Sequence, residues 1–79
     1  MSPTIFREGE FRFYFFSREE RRIHVHVQAA NGEAKFWLEP RIELARHYGL
    51  SVRQVNRALR LVQEREDEIR QAWQAHFGG

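Results

Sequence analysis

Two histidines stand two residues apart in Ile23-His24-Val25-His26-Val27-Gln28, a run that alternates apolar and polar residues without a break. On a strand, alternate side chains share one face and are spaced roughly 6.5 to 7 Å along the chain. Two imidazoles at that spacing could serve one phosphodiester, one as base and one as acid near neutral pH. Lys35, Arg21 and Arg22 would offset the phosphate charge, and Trp37 would offer an unpaired base a stacking surface. RNA cleavage is thus chemically available. The candidate catalytic groups are His24, His26 and Glu39, and the candidate nucleic-acid contacts are Arg21, Arg22, Lys35 and Trp37.

Other readings of the same residues stay open. His-x-His on a strand also supplies two metal ligands, to which Glu39 or His47 would add a third. With no cysteine and no His/Glu motif at helical spacing, the remaining ligands are undefined, and no metal or cofactor is expected. The plainest alternative is structural: His24 pairs with Glu39 and His26 packs on Trp37 as cross-strand contacts.

The histidine strand needs a partner, and Asn31-Gly32 supplies a strong short hairpin signal, because a type I′ turn takes two central residues with positive φ. Glu33 to Glu39 then returns. That turn sets Ala30 opposite Glu33, Gln28 opposite Lys35, Val27 opposite Phe36, His26 opposite Trp37 and His24 opposite Glu39. One face carries Val25, Val27, Phe36 and Leu38 for a core, and the other carries His24, His26, Lys35, Trp37 and Glu39. Upstream, Thr4 to Arg7 and Phe11 to Phe16 read as two strands joined by a tight turn at Glu8-Gly9, followed by a polar loop over Ser17 to Arg22.

From Ser51 the period becomes helical, with Val55, Ala58, Leu59, Val62, Ile69, Ala72, Trp73 and Phe77 along one stripe. Ser51 and Gln54 form a capping box and Leu50 a staple against Val55. One long helix is expected over about 51–77, with Arg65 and Glu66 interrupting the stripe where it could bend. Trp73 and Phe77 in its second half are candidate anchors for a partner protein. Residues 42–48 fit two patterns. Read as a helix, this stretch would form a helix-turn-helix and place Arg53, Gln54, Asn56 and Arg57 towards a DNA major groove.

The chain has 79 residues, 42% of them hydrophobic and 30% charged, which fits one small domain over 1–79 whose strands lie within 3–48. Domains this small have little stability to spare, so an oligomer or a bound partner is plausible from size. No apolar run approaches the roughly 20 residues of a membrane span, and the start lacks the pattern of a signal peptide, so a cytoplasmic protein without membrane contact is expected. The net charge is only +2, yet twelve of the thirteen basic residues are arginine, whose planar fork binds phosphates and carboxylates.

Pro3-Thr4-Ile5-Phe6, His24-Val25-His26-Val27, Gly32-Glu33-Ala34-Lys35-Phe36-Trp37-Leu38 and a closing helix with Trp73 together resemble, along nearly the full length, the bacterial proteins grouped as domain of unknown function 4160. Some of these are described as double-histidine toxins of type II toxin–antitoxin pairs, encoded beside a small antitoxin. The resemblance implies a small α+β domain in which Glu33 to Leu38 and Ile42 to His47 form a further hairpin, and it maps the histidine pair onto His24 and His26. Relatives often carry prolines before that pair, where this chain has Arg21-Arg22. The expected fold is therefore an α+β antiparallel sheet of about five strands with one long C-terminal helix packed on it. The expected function is a toxin-like component acting on RNA or the translation machinery and held inactive by its small antitoxin. A non-enzymatic DNA-binding module using Arg53 to Arg60 is the alternative.

Overall fold

Strand alternation and short turns carry the chain back and forth through one antiparallel sheet before helical periodicity takes over. The structure, a computed structural model, describes residues 4–16 and 21–78. Its elements are β1 (Thr4–Glu8), β2 (Phe11–Tyr14), β3 (His24–Ala29), β4 (Gly32–Trp37), β5 (Glu43–Tyr48), α1 (Val52–Glu64) and α2 (Glu66–Phe77). Each strand pairs with its sequence neighbour, giving the order β1-β2-β3-β4-β5. Of the expected loop over Ser17 to Arg22, residues 17–20 lie outside the described residues.

One face of the sheet holds the core. Phe6, Phe11, Phe13, Phe15, Val25, Val27, Phe36 and Leu38 are buried there against Val55, Ala58 and Val62 of α1 and Ile69 and Trp73 of α2. Among the described residues no helix is long and apolar enough to cross a membrane.

The β3–β4 register differs by two residues from the expected one: His24 faces Trp37, His26 faces Lys35 and Ala29 faces Gly32. A shift of two leaves every side chain on its expected face, so the separation into apolar and histidine-bearing faces survives. The turn residues are therefore Ala30 and Asn31, and neither Asn31 nor Gly32 has positive φ, so the type I′ turn is not formed. Gly32 is needed for closeness instead, since a Cβ there would collide with the backbone of Tyr48, Gly49 and Leu50. Gly49 faces it at φ +78, and its own Cβ would collide with the carbonyl of Asn31. The Asn31 side chain seals this corner by donating to Gly49 O and to Gln54 Oε1, each at 2.9 Å.

Residues 43–48 are extended, paired to β4, so the helix-turn-helix expected in the alternative reading does not form. Pairing satisfies the backbone of this stretch along one side and leaves β5 as an edge strand with a bulge between its contacts to Lys35 and Phe36.

In place of one continuous helix there are two, meeting at Arg65 (φ −113, ψ 27). The hydrogen bonds Arg65 N to Leu61 O and Ile69 N to Arg65 O, both 3.0 Å, carry the chain through the bend. The bend has a side-chain cause. Arg65 occupies the stripe between Val62 and Ile69, and its guanidinium lies 4.2 Å from the Phe6 ring centre and 2.5 Å from Glu8 of β1. The expected capping box at the start of α1 is present in full.

Candidate functional site

The sheet face that does not carry Val25, Val27 and Phe36 bears Arg12, Tyr14, His24, His26, Lys35, Trp37, Arg46 and Tyr48, as the pairings Tyr14 with His26, His26 with Lys35 and Lys35 with Arg46 require. Alternation with a core on the other face predicts two imidazoles that project away from that core. Both are buried, His24 completely and His26 to 6% exposure. Tyr14 and Phe16 pack on His26, while Trp37 and, from α2, Trp73 pack on His24.

The two rings have different surroundings. His24 lies 5.1 Å from His26, 5.5 Å from Trp37 and 5.2 Å from Trp73, centre to centre, and its Nδ1 donates to Arg22 O at 2.6 Å. That bond fixes a tautomer with the proton on Nδ1 whenever the ring is neutral. His26 stacks on Tyr14 at 5.4 Å and meets Phe16 edge-on at 4.5 Å. Unlike His24, it borders a cavity of about 170 Å³, whose other walls include Phe16, Lys35, Arg46 and Tyr48.

Lys35 and Arg46 sit directly opposite one another on β4 and β5, so two cationic residues occupy facing positions beside the cavity. Glu33 also borders the cavity, yet among the described residues neither it nor Arg46 takes part in an ion pair. Tyr48 is 78% exposed and Phe16 43%, so the cavity mouth carries two aromatic surfaces open to solvent. Such a set provides cations for an anion, aromatic faces for a planar ring and one imidazole for proton transfer.

The remaining candidates are placed elsewhere. Trp37 is half-buried, with the Arg22 guanidinium 4.0 Å and the Lys35 ammonium 4.4 Å from its ring centre, so cations of the chain itself already cover it. Arg22 is further tied to Glu39 O at 2.6 Å and to the Glu43 carboxylate at 3.4 Å, and Arg21 is exposed. Glu39 does not face His24. Its carboxylate pairs with Arg70 at 3.2 Å, because the two-residue change of register carries it beyond the histidine.

Arg70 also holds Glu66 at 2.8 Å and Leu38 O at 2.8 Å, pinning α2 to the end of β4. Its hydrogen bond to Glu66 raises the guanidinium above its usual value; burial opposes this and Glu39 adds to it. Trp73 is 8% exposed and packed on Phe15 and His24, while Phe77 packs beside it. Trp73, expected as a partner anchor, thus belongs to the chain's own core, and Phe77 packs partly buried against it.

Among the described residues no three His, Asp or Glu side chains cluster closely enough to hold a metal ion. Sequence reasoning missed Phe16, Arg46 and Tyr48 as site residues. The missing signal was the β4–β5 register, which alone brings Arg46 opposite Lys35.

The sequence profile of a family described as domain of unknown function (DUF4160) matches residues 10–74, a span that contains both histidines and every wall of the cavity. No curated protein and no solved structure gives a significant match.

Proposed function

The chain belongs to the family described as domain of unknown function (DUF4160), and from that premise we propose that it is the toxin-like member of a toxin–antitoxin pair that acts on RNA at the cavity beside His26. The observation that carries this reading is the meeting of Lys35 and Arg46, opposite each other at a wall shared with His26, Phe16 and Tyr48. A phosphate is held by the two cations, and a base of a single strand stacks on Tyr48.

In this reading the two histidines differ in role. His26 is the imidazole in reach of bound RNA and the group that removes a proton from a ribose 2′-hydroxyl. The 2′-oxygen then bonds to phosphorus, the bond from phosphorus to the 5′-oxygen breaks, and that oxygen takes a proton from solvent. Lys35 and Arg46 stabilise the added charge on phosphorus. His24, enclosed behind His26, is a positioning residue. The antitoxin partner is a small protein that closes or distorts the cavity.

The test is incubation of the purified chain and His26→Gln with end-labelled single-stranded RNA. Fragments ending in a 2′,3′-cyclic phosphate are expected from the parent chain alone. RNA left intact by the parent chain, or cut equally by His26→Gln, removes the catalytic role.

A further inference from the structure

The solvent face of α1 carries Arg53, Asn56, Arg57 and Arg60, all exposed and spaced i, i+3, i+4 and i+7. They form a stripe about 10.5 Å long at 1.5 Å per residue. With Val52 they line one shallow groove. The stripe contains like charges at helical contact spacing, Arg53 with Arg57 and Arg57 with Arg60, which weakens an isolated helix. Among the described residues none of these three guanidiniums is in an ion pair, whereas Arg22, Arg41, Arg65 and Arg70 each are. Arg57 leans on the β1–β2 turn, close enough that a Cβ on Gly9 would come within 2.8 Å of Nη2, and finds no carboxylate in an ion pair there.

We infer that this stripe is a second binding surface, one that tracks the sugar-phosphate backbone of the single-stranded RNA whose base and phosphate enter the His26 cavity. The inference rests on the RNA-directed reading above for the identity of its ligand. Two observations favour nucleic acid over an acidic protein segment. Apart from Val52, the groove offers only polar and cationic side chains, which matches the polar, positive character of nucleic-acid interfaces and lacks the apolar centre of protein interfaces. The stripe is also close to the cavity along the chain. Tyr48 at the cavity mouth and Val52 at the groove are four residues apart, hence no more than about 14 Å between Cα atoms. A strand leaving Tyr48 around the end of β5 reaches Arg53 within a few nucleotides.

The experiment compares the parent chain, the triple variant Arg53→Gln, Arg57→Gln, Arg60→Gln, and Tyr48→Ala. The probes are a 12-mer of uridylate, the dinucleotide UpU and a 12-mer of glutamate, each titrated at several salt concentrations. The triple variant is expected to bind the RNA 12-mer about tenfold or more weakly at low salt and to lower the log–log salt slope by about 2, for three phosphates at roughly 0.7 each. Its affinity for UpU should not change, and its Tm should not fall, since the change removes like-charge pairs.

An unchanged affinity and slope for the RNA 12-mer overturns the inference, and UpU binding lost in Tyr48→Ala would then leave the cavity reading standing. Loss of the RNA 12-mer in the triple variant, with no UpU binding by the parent chain, keeps the α1 surface and removes the cavity. If the glutamate 12-mer binds the parent chain as tightly as RNA and is lost in the triple variant, the stripe is a site for acidic protein. No binding of either RNA by the parent chain overturns both.

Discussion

The cavity separates two buried histidines that share a face and a spacing. His26 borders the cavity, while His24 is wholly enclosed by Trp37, Trp73 and His26. Replacing them should therefore fail in different ways. In cells lacking the partner, His26→Gln is expected to abolish growth inhibition and to melt close to the parent chain. His24→Ala is expected to lose about 1 to 3 kcal/mol of stability, because it opens a void among aromatic rings and strands the Arg22 carbonyl. Denaturant titration of both variants checks this; equal stability of the two would contradict the separation. Val25→Ala, at a fully buried position on the opposite face, should also cost about 1 to 3 kcal/mol. The faces of these residues were legible from alternation alone, because a register change of two preserves them. Their burial was not, since Tyr14, Phe16 and Trp73 come from separate parts of the chain and meet the histidines only once the sheet and α2 are assembled.

Turns and caps decide where each strand and helix can begin, and here two glycines act for different reasons. Gly49 combines φ +78 with backbone contact to Asn31, while Gly32 has ordinary φ and is required by contact alone. Gly49→Ala is expected to destabilise the chain by about 1 to 3 kcal/mol and to loosen the corner that joins the β3–β4 turn to α1. Amide exchange at residues 49–54 should rise in that variant, and unchanged protection would contradict the assignment. Ser51→Ala, which removes the cap of α1, should cost about 1 kcal/mol on its own. The capping box was readable because Ser51 and Gln54 are local in sequence. The division of the helix was only half readable: Arg65 and Glu66 marked the place, but the partners that draw Arg65 inward, Glu8 and Phe6, lie on the first strand.

Taken as a whole, the fold turns its apolar residues towards two helices and gathers cations and exposed aromatics on the other side of the sheet. Trp73 crosses that division, since it is the ring that joins α2 to both Phe15 and His24. Trp73→Ala should therefore cost about 3 to 5 kcal/mol, enough to unfold much of a domain this size, rather than weaken a partner selectively. A folded Trp73→Ala protein that merely lost its partner would refute this. The family resemblance was already legible in the short motifs around the histidines. The cation pair at the cavity was not, because Lys35 and Arg46 are brought together by the β4–β5 hairpin and its bulge. In the proposed function the decisive event is entry of RNA into the cavity bounded by His26, Lys35, Arg46 and Tyr48. It is tested most directly by following side-chain NMR signals while UpU is added. Shifts are expected at the His26 imidazole, the Tyr48 ring and the Phe16 ring, with the Trp73 indole unmoved. Shifts absent from His26 and Tyr48 at saturating UpU would contradict the account.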